Sequence, residues 1–121
     1  MNIHESAEDY LEAILRLRET KGFVRSVDIA QLLGVTKPSV SFAMKKLREN
    51  DYIRMGEDSL ITLTEKGEEI ALRVYDRHKT IMSFLISIGV DEDTAREDAC
   101  KIEHDISQES FEALRRQLFR S

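Results

Sequence analysis

Apolar residues recur every three or four positions along most of the chain and turn strand-like in one short stretch. A mainly α chain with a single hairpin is predicted. In residues 5–20, Tyr10, Ile14 and Leu17 keep helical spacing, and Ala7, Leu11 and Leu15 widen the stripe. Ser6 is the expected cap, Asp9 follows it at capping-box distance, and Gly22 comes after the helix. Residues 26–34 form a short helix with Val27, Ile29, Ala30, Leu32 and Leu33 as its apolar face and Gly34 as its stop. After Val35-Thr36, a third helix runs over about 37–50, with Pro38 in its first turn and Val40, Ala43, Met44 and Leu47 inward. Residues 52–55 and 60–63 are β-prone and flank Gly56-Glu57-Asp58-Ser59, which makes a hairpin. A long helix over about 65–86, with Ile70, Val74, Ile81 and Leu85 on one side, is broken by Gly89. Helices over about 92–104 and 108–118 follow, capped by Asp91 and Ser107, the last with Phe111, Leu114 and Leu118 on its face. The seam falls in or after the long helix, giving expected domains of 1–70 and 71–121.

With 121 residues, the chain has room for one or two small domains, and a large multi-domain enzyme is excluded. No apolar run approaches a membrane span, and Met1–Asp9 lacks the basic start of a signal peptide. The lone Cys100 excludes an intramolecular disulfide and a four-cysteine zinc site, so a reducing cytoplasm is expected. A core this small makes self-association a fair expectation. The net charge of -5 conceals segregation. Residues 21–48 carry Lys21, Arg25, Lys37, Lys45, Lys46 and Arg48 against Asp28 alone, whereas residues 89–112 are rich in acids. One section can face phosphates; the other can collect cations or simply face solvent.

Helix, helix, short turn, helix, hairpin is the order of a winged helix-turn-helix, with the third helix for recognition and the hairpin as wing. Ser39 and Ser41 are placed to reach base edges or phosphates, Lys37, Lys45 and Lys46 to neutralise the backbone, and Phe42 to meet a thymine methyl. Arg54 in the wing is a backbone-contact candidate. A generic three-helix domain shares the apolar pattern, with Lys45-Lys46 as an ordinary solvated pair.

Two clusters suit metal chemistry. Asp9 and Glu12 share one face of the first helix, and Cys100, Glu103 and His104 share one face of the 92–104 helix. His78 lies on the long helix between them in sequence. Carboxylate, imidazole and thiolate together suit a borderline divalent ion; carboxylates favour Mn²⁺, and sulfur favours Fe²⁺ or Zn²⁺. Each member has a plainer role: Cys100 as a small hydrophobe, Asp9 as a helix-dipole acid, Glu12 as a partner of Arg16, the others as core or surface groups. Cys100 with His104 also has the spacing of a thiolate–imidazole pair. With no oxyanion loop, phosphate loop, dinucleotide fingerprint or HExxH motif, the chain is not read as an enzyme.

Several stretches carry a family resemblance. They are Ser6-Ala7-Glu8-Asp9-Tyr10-Leu11-Glu12-Ala13-Ile14, the run Ser26 to Val35, Pro38-Ser39-Val40-Ser41 and Leu63-Thr64-Glu65-Lys66-Gly67. The most specific are Arg77-His78 and the run Ala99 to Ser107. Over nearly its whole length the chain resembles the diphtheria-toxin-repressor type of metal-dependent transcriptional regulators, and within it the short manganese transport regulators. The resemblance implies a homodimer whose winged domains bind a palindromic operator near metal-uptake genes. Its C-terminal helical domain dimerises, and metal between the two domains couples them. It implies Asp9, Glu12, His78, Cys100, Glu103 and His104 as ligands. Mn²⁺ is the expected cofactor and Fe²⁺ the alternative, with Zn²⁺, Co²⁺ or Cd²⁺ able to substitute in vitro. Asp9 follows the manganese pattern, whereas Cys100 stands where manganese members usually have glutamate and iron members cysteine. Met82 and Arg96 occupy positions where iron members place an acid and a histidine of an ancillary site, which is therefore not expected. The extra barrel-type domain of longer members is likewise not expected. The competing function is a metal-independent DNA-binding regulator with a purely structural dimer domain.

Overall fold

The computed structural model describes residues 3–118, with side chains from Ala7 onward. Its elements are α1 (Ile3–Lys21), α2 (Ser26–Leu33), α3 (Lys37–Glu49), β1 (Ile53–Met55), β2 (Ile61–Leu63), α4 (Glu65–Ser87), α5 (Glu92–Asp105) and α6 (Gln108–Leu118). The chain divides into two compact units, Met1–Leu72 and Arg73–Ser121. No helix among the described residues is long and apolar enough to cross a membrane.

In the first unit, α1 packs on α2, α3 and β2, and α3 packs on α2 and β1. Leu11, Ile14, Leu15, Ile29, Val40, Met44, Ile53 and Ile61 are buried. The two strands pair antiparallel, Ile53 with Leu63 and Arg54 with Thr62, and form the wing. Its turn closes through the Gly56 amide on the Leu60 carbonyl, 2.9 Å, and Ser59 takes a positive φ of 60°. The Ile61 amide donates to the Val24 carbonyl, 2.8 Å, so the link after α1 runs beside the hairpin.

Three details differ from expectation. The backbone of Ser6 lies inside α1, which already runs at Ile3, and its side chain lies outside the described residues. Val27 and Leu32 are each 40% exposed. The two turns of α2 present one narrow inward face, which Ile29 and Ala30 fill. Asp28, which reads as the lone acid of a basic stretch, is buried and accepts from the Arg25 amide at the helix start, 2.9 Å.

In the second unit, Ile81, Ala99 and Phe111 form a small core, with Met82, Leu85, Ile102 and Ile106 packed against it. Ile81 and Phe111 are thus buried within the unit's own core. Phe111 is held by cations on its ring, Arg77 at 5.3 Å and Arg115 at 5.0 Å from the centroid. Ile86 and Ile88 remain exposed.

Candidate metal centre and DNA-reading face

The end of α4 and the start of α5 set up the second unit's polar cluster. Gly89, at φ 103°, closes α4 as its amide donates to the Ile86 carbonyl, 3.0 Å. Asp91 then caps α5 through the Asp93 amide, 3.1 Å. The small buried residues Ala95 and Ala99 turn one stripe of α5 inward, and four residues further on that stripe reaches Glu103. Glu103 is only 2% exposed. One of its oxygens, Oε2, lies 3.1 Å from His78 Nδ1, and Cys100 Sγ lies 3.7 Å from the same nitrogen. His104 Nε2 stands 3.4 Å from Glu103 Oε1, in ion-pair range. Even so, Oε1 is buried and accepts no hydrogen bond among the described residues.

Sulfur, imidazole and carboxylate are thus gathered within one unit. Cys100 is exposed, which removes the reading of it as an inert core residue. The Cys100 sulfur, then the Glu103 carboxylate, stabilise the His78 imidazolium more than burial opposes it, raising its pKa to about 10. A buried carboxylate oxygen without a donor is costly unless something positive completes it. The residues present fit a divalent ion of intermediate softness.

Asp9 and Glu12 belong to the first unit. They stand one turn apart on α1, with Glu12 4% exposed and Asp9 half-buried. Arg96 is occupied by Glu92 and Asp93 at 3.2 and 3.1 Å, and Met82 by the apolar core, so both have structural work where an ancillary site would need ligands.

The DNA-reading candidates form a second set. Thr36 caps α3, accepting from the Ser39 amide at 3.2 Å, while its own hydroxyl donates to Ser39 Oγ at 2.9 Å. Ser39 keeps its own proton to donate. Lys37, Ser39, Ser41, Phe42, Lys45 and Lys46 of α3 are all exposed, as is Arg54 of β1. Phe42 is 63% exposed, with Lys46 Nζ 5.5 Å from its ring centroid, so those two side chains stand together.

Two residues acquire roles that sequence spacing does not show. Gly67 opens α4 against the backbone of Tyr52: a Cβ there would overlap the Tyr52 carbonyl oxygen. That contact explains the glycine in Leu63-Thr64-Glu65-Lys66-Gly67. Arg77 is half-buried and donates to the carbonyls of Glu103 and Ile106, 3.2 and 3.1 Å, and to Gln108 Oε1, 2.7 Å.

Comparison with known proteins converges on one family. Residues 2–59 match the N-terminal DNA binding domain of the iron dependent repressors, and residues 64–120 match their metal binding and dimerisation domain. The chain is 42% identical over 113 residues to an uncharacterized HTH-type transcriptional regulator of Methanocaldococcus jannaschii, covering 92% of this chain and 90% of that one. It is 38% identical over 109 residues to the HTH-type transcriptional regulator MntR of Bacillus subtilis, covering 90% of this chain and 77% of that one. Among solved structures, the manganese regulator SloR superposes with a TM-score of 0.82 at 32% identity, over 93% of this chain and 53% of that one. IdeR of T. acidophilum gives 0.81 at 29%, over 94% and 54%. The chain thus spans about half the length of those two solved proteins. With both family domains in sequence order, a winged helix first and the dimerisation helices after it, the chain belongs to the iron dependent repressors, a family of metal-dependent transcriptional regulators and not of enzymes.

Proposed function

We propose that the protein is a cytoplasmic, homodimeric repressor of metal-uptake genes, activated by Mn²⁺ with Fe²⁺ as the alternative, which binds a palindromic operator. The observation that carries the metal reading is the buried Glu103 carboxylate, whose Oε1 accepts no hydrogen bond among the described residues. The ion would be held by His78, Cys100, Glu103 and His104, together with Asp9 and Glu12, which enter on the family pattern. It would replace the His78 proton as the positive charge beside the buried carboxylate. Family membership and the manganese regulators among the relatives support Mn²⁺. Cys100, a soft ligand, draws the set toward Fe²⁺ and Zn²⁺.

On DNA, Lys37, Lys45, Lys46 and Arg54 serve phosphates, and Ser39, Ser41 and Phe42 read bases. Their exposure on α3 and β1 supports this reading. Metal activates by binding the DNA-competent arrangement more tightly than the inactive one.

The test is affinity for a duplex selected from randomised DNA, measured across Mn²⁺, anaerobic Fe²⁺ and Zn²⁺. Wild type, Cys100→Glu and Asp9→Met are compared. Cys100→Glu is expected to move preference toward Mn²⁺ and Asp9→Met away from it. If both variants respond to every ion as wild type does, the ligand set is wrong. DNA binding that ignores all metals would favour the metal-independent regulator.

A further inference from the structure

Arg77 belongs to neither the ligand set nor the DNA-reading set, yet it bonds the end of α5, the residue after it and the start of α6. It stands on α4 one residue before His78. Its Nη1 donates to the main-chain carbonyl of Glu103 at 3.2 Å and to that of Ile106 at 3.1 Å. Its Nη2 donates to Gln108 Oε1 at the first residue of α6, 2.7 Å. Its guanidinium also lies over Phe111.

The last four carbonyls of a helix have no partner within that helix, and a cation there is favoured by the helix dipole. Arg77 meets both conditions at the end of α5. The Glu103 carbonyl is one of those orphans, because α5 ends at Asp105. The planar fork makes several directed bonds at once, which a lysine ammonium does with less geometric constraint. The turn of α5 that carries Cys100, Glu103 and His104 is therefore tied to the turn of α4 that carries His78.

We propose that Arg77 is the positioning residue of the metal centre: it fixes the α5 ligands relative to His78 and so sets how tightly the ion is held. It does not touch the ion. The proposal rests on the metal reading above. Groups that orient metal ligands typically change affinity by about 10- to 100-fold when removed, and Arg77 should fall in that range. A looser ligand turn penalises an ion needing many well-placed donors more than one satisfied by four. Mn²⁺ affinity should therefore fall more than Zn²⁺ affinity.

The experiment measures Mn²⁺ and Zn²⁺ affinity of the full chain by equilibrium binding, the EPR spectrum of bound Mn²⁺, and the metal-free melting temperature. It compares wild type with Arg77→Met, Arg77→Lys and Arg115→Met. Arg115 is the control: it packs on the same Phe111 and pairs with Asp76, but bonds no α5 carbonyl. Expected results are a fall in Mn²⁺ affinity of about 10-fold or more in Arg77→Met, a smaller fall for Zn²⁺, a broadened EPR signal, and partial recovery in Arg77→Lys. Arg115→Met should lower the melting temperature with Mn²⁺ affinity and spectrum unchanged. If Arg77→Met does not fold, Arg77→Lys decides: its Mn²⁺ spectrum must differ from wild type. Wild-type affinity and spectrum in the Arg77 variants, or equal losses in Arg77→Met and Arg115→Met, would overturn the positioning role alone. Failure of the wild type itself to bind either ion would overturn the metal reading, and this proposal with it.

Discussion

A single imidazole shows how the proposed centre uses charge. His78 sits beside Cys100 Sγ and Glu103 Oε2, and these neighbours raise its pKa to about 10. Because the folded value lies above the ordinary one, the pair stabilises the metal-free chain fully below about 6.5. That contribution is lost as pH rises through about 10. An imidazolium must give up a proton to bind a metal, so metal uptake runs the other way. Mn²⁺ affinity should fall by at least about tenfold for each unit that pH drops through the neutral range, with a proton released into the buffer on binding. Calorimetry in two buffers of different ionisation heat measures that release, and a pH-independent affinity would show that His78 is not a ligand. Glu103 poses the complementary case, a carboxylate with one oxygen donated to and the other not. Spacing places Cys100, Glu103 and His104 on one helical face. It does not tell which of them is buried, since that depends on the small residues Ala95 and Ala99 above them on the same stripe.

At the level of elements, much was legible because each carries its own punctuation. Gly34 and Gly89 adopt positive φ where helices stop, and Asp91 caps α5 where periodicity resumes. What stayed illegible depends on contacts between distant residues. Val27 and Leu32 fit an apolar stripe, but α2 has only one narrow inward face for them to share. The spacing of Arg77 does not show what it bonds until the end of α5 is beside it. Gly67 looks like an ordinary helix glycine until Tyr52 is seen against it. For Gly67→Ala, with backbone as the clashing neighbour, we expect a loss of about 1–3 kcal/mol, read by urea unfolding. Wild-type stability would mean that α4 opens elsewhere. On α3 the division of labour makes a separate prediction. Lys45→Ala should weaken selected and random duplexes by similar factors and lower the salt slope by about one. Ser41→Ala should change the ratio between the two duplexes instead. Titration at several salt concentrations separates them; a changed ratio in Lys45→Ala would make that lysine a base reader.

For the whole molecule, the acidic net charge of -5 and a DNA-binding role are compatible because charge is segregated along the chain. The basic residues of α3 are exposed in the first unit, while acids crowd α5 in the second. Self-association has apolar surface to draw on at Ile86 and Ile88, with Ile81 and Phe111 committed to the unit's own core. On the proposed function, metal occupancy and DNA affinity are one linked equilibrium, so DNA must tighten metal binding by the factor by which metal tightens DNA binding. The most direct measurement is the affinity of the full chain for its selected duplex in saturating Mn²⁺ and in chelator, for wild type and Glu103→Gln, at constant ionic strength. We expect wild type to bind at least about fivefold tighter with Mn²⁺, the lower end of typical coupling between sites. Glu103→Gln, lacking the charge at the centre of the ligand set, should bind equally weakly in both conditions. Equal wild-type affinity with Mn²⁺ and with chelator, or a Glu103→Gln variant that responds to Mn²⁺ as wild type does, would mean that metal at this site does not govern DNA binding.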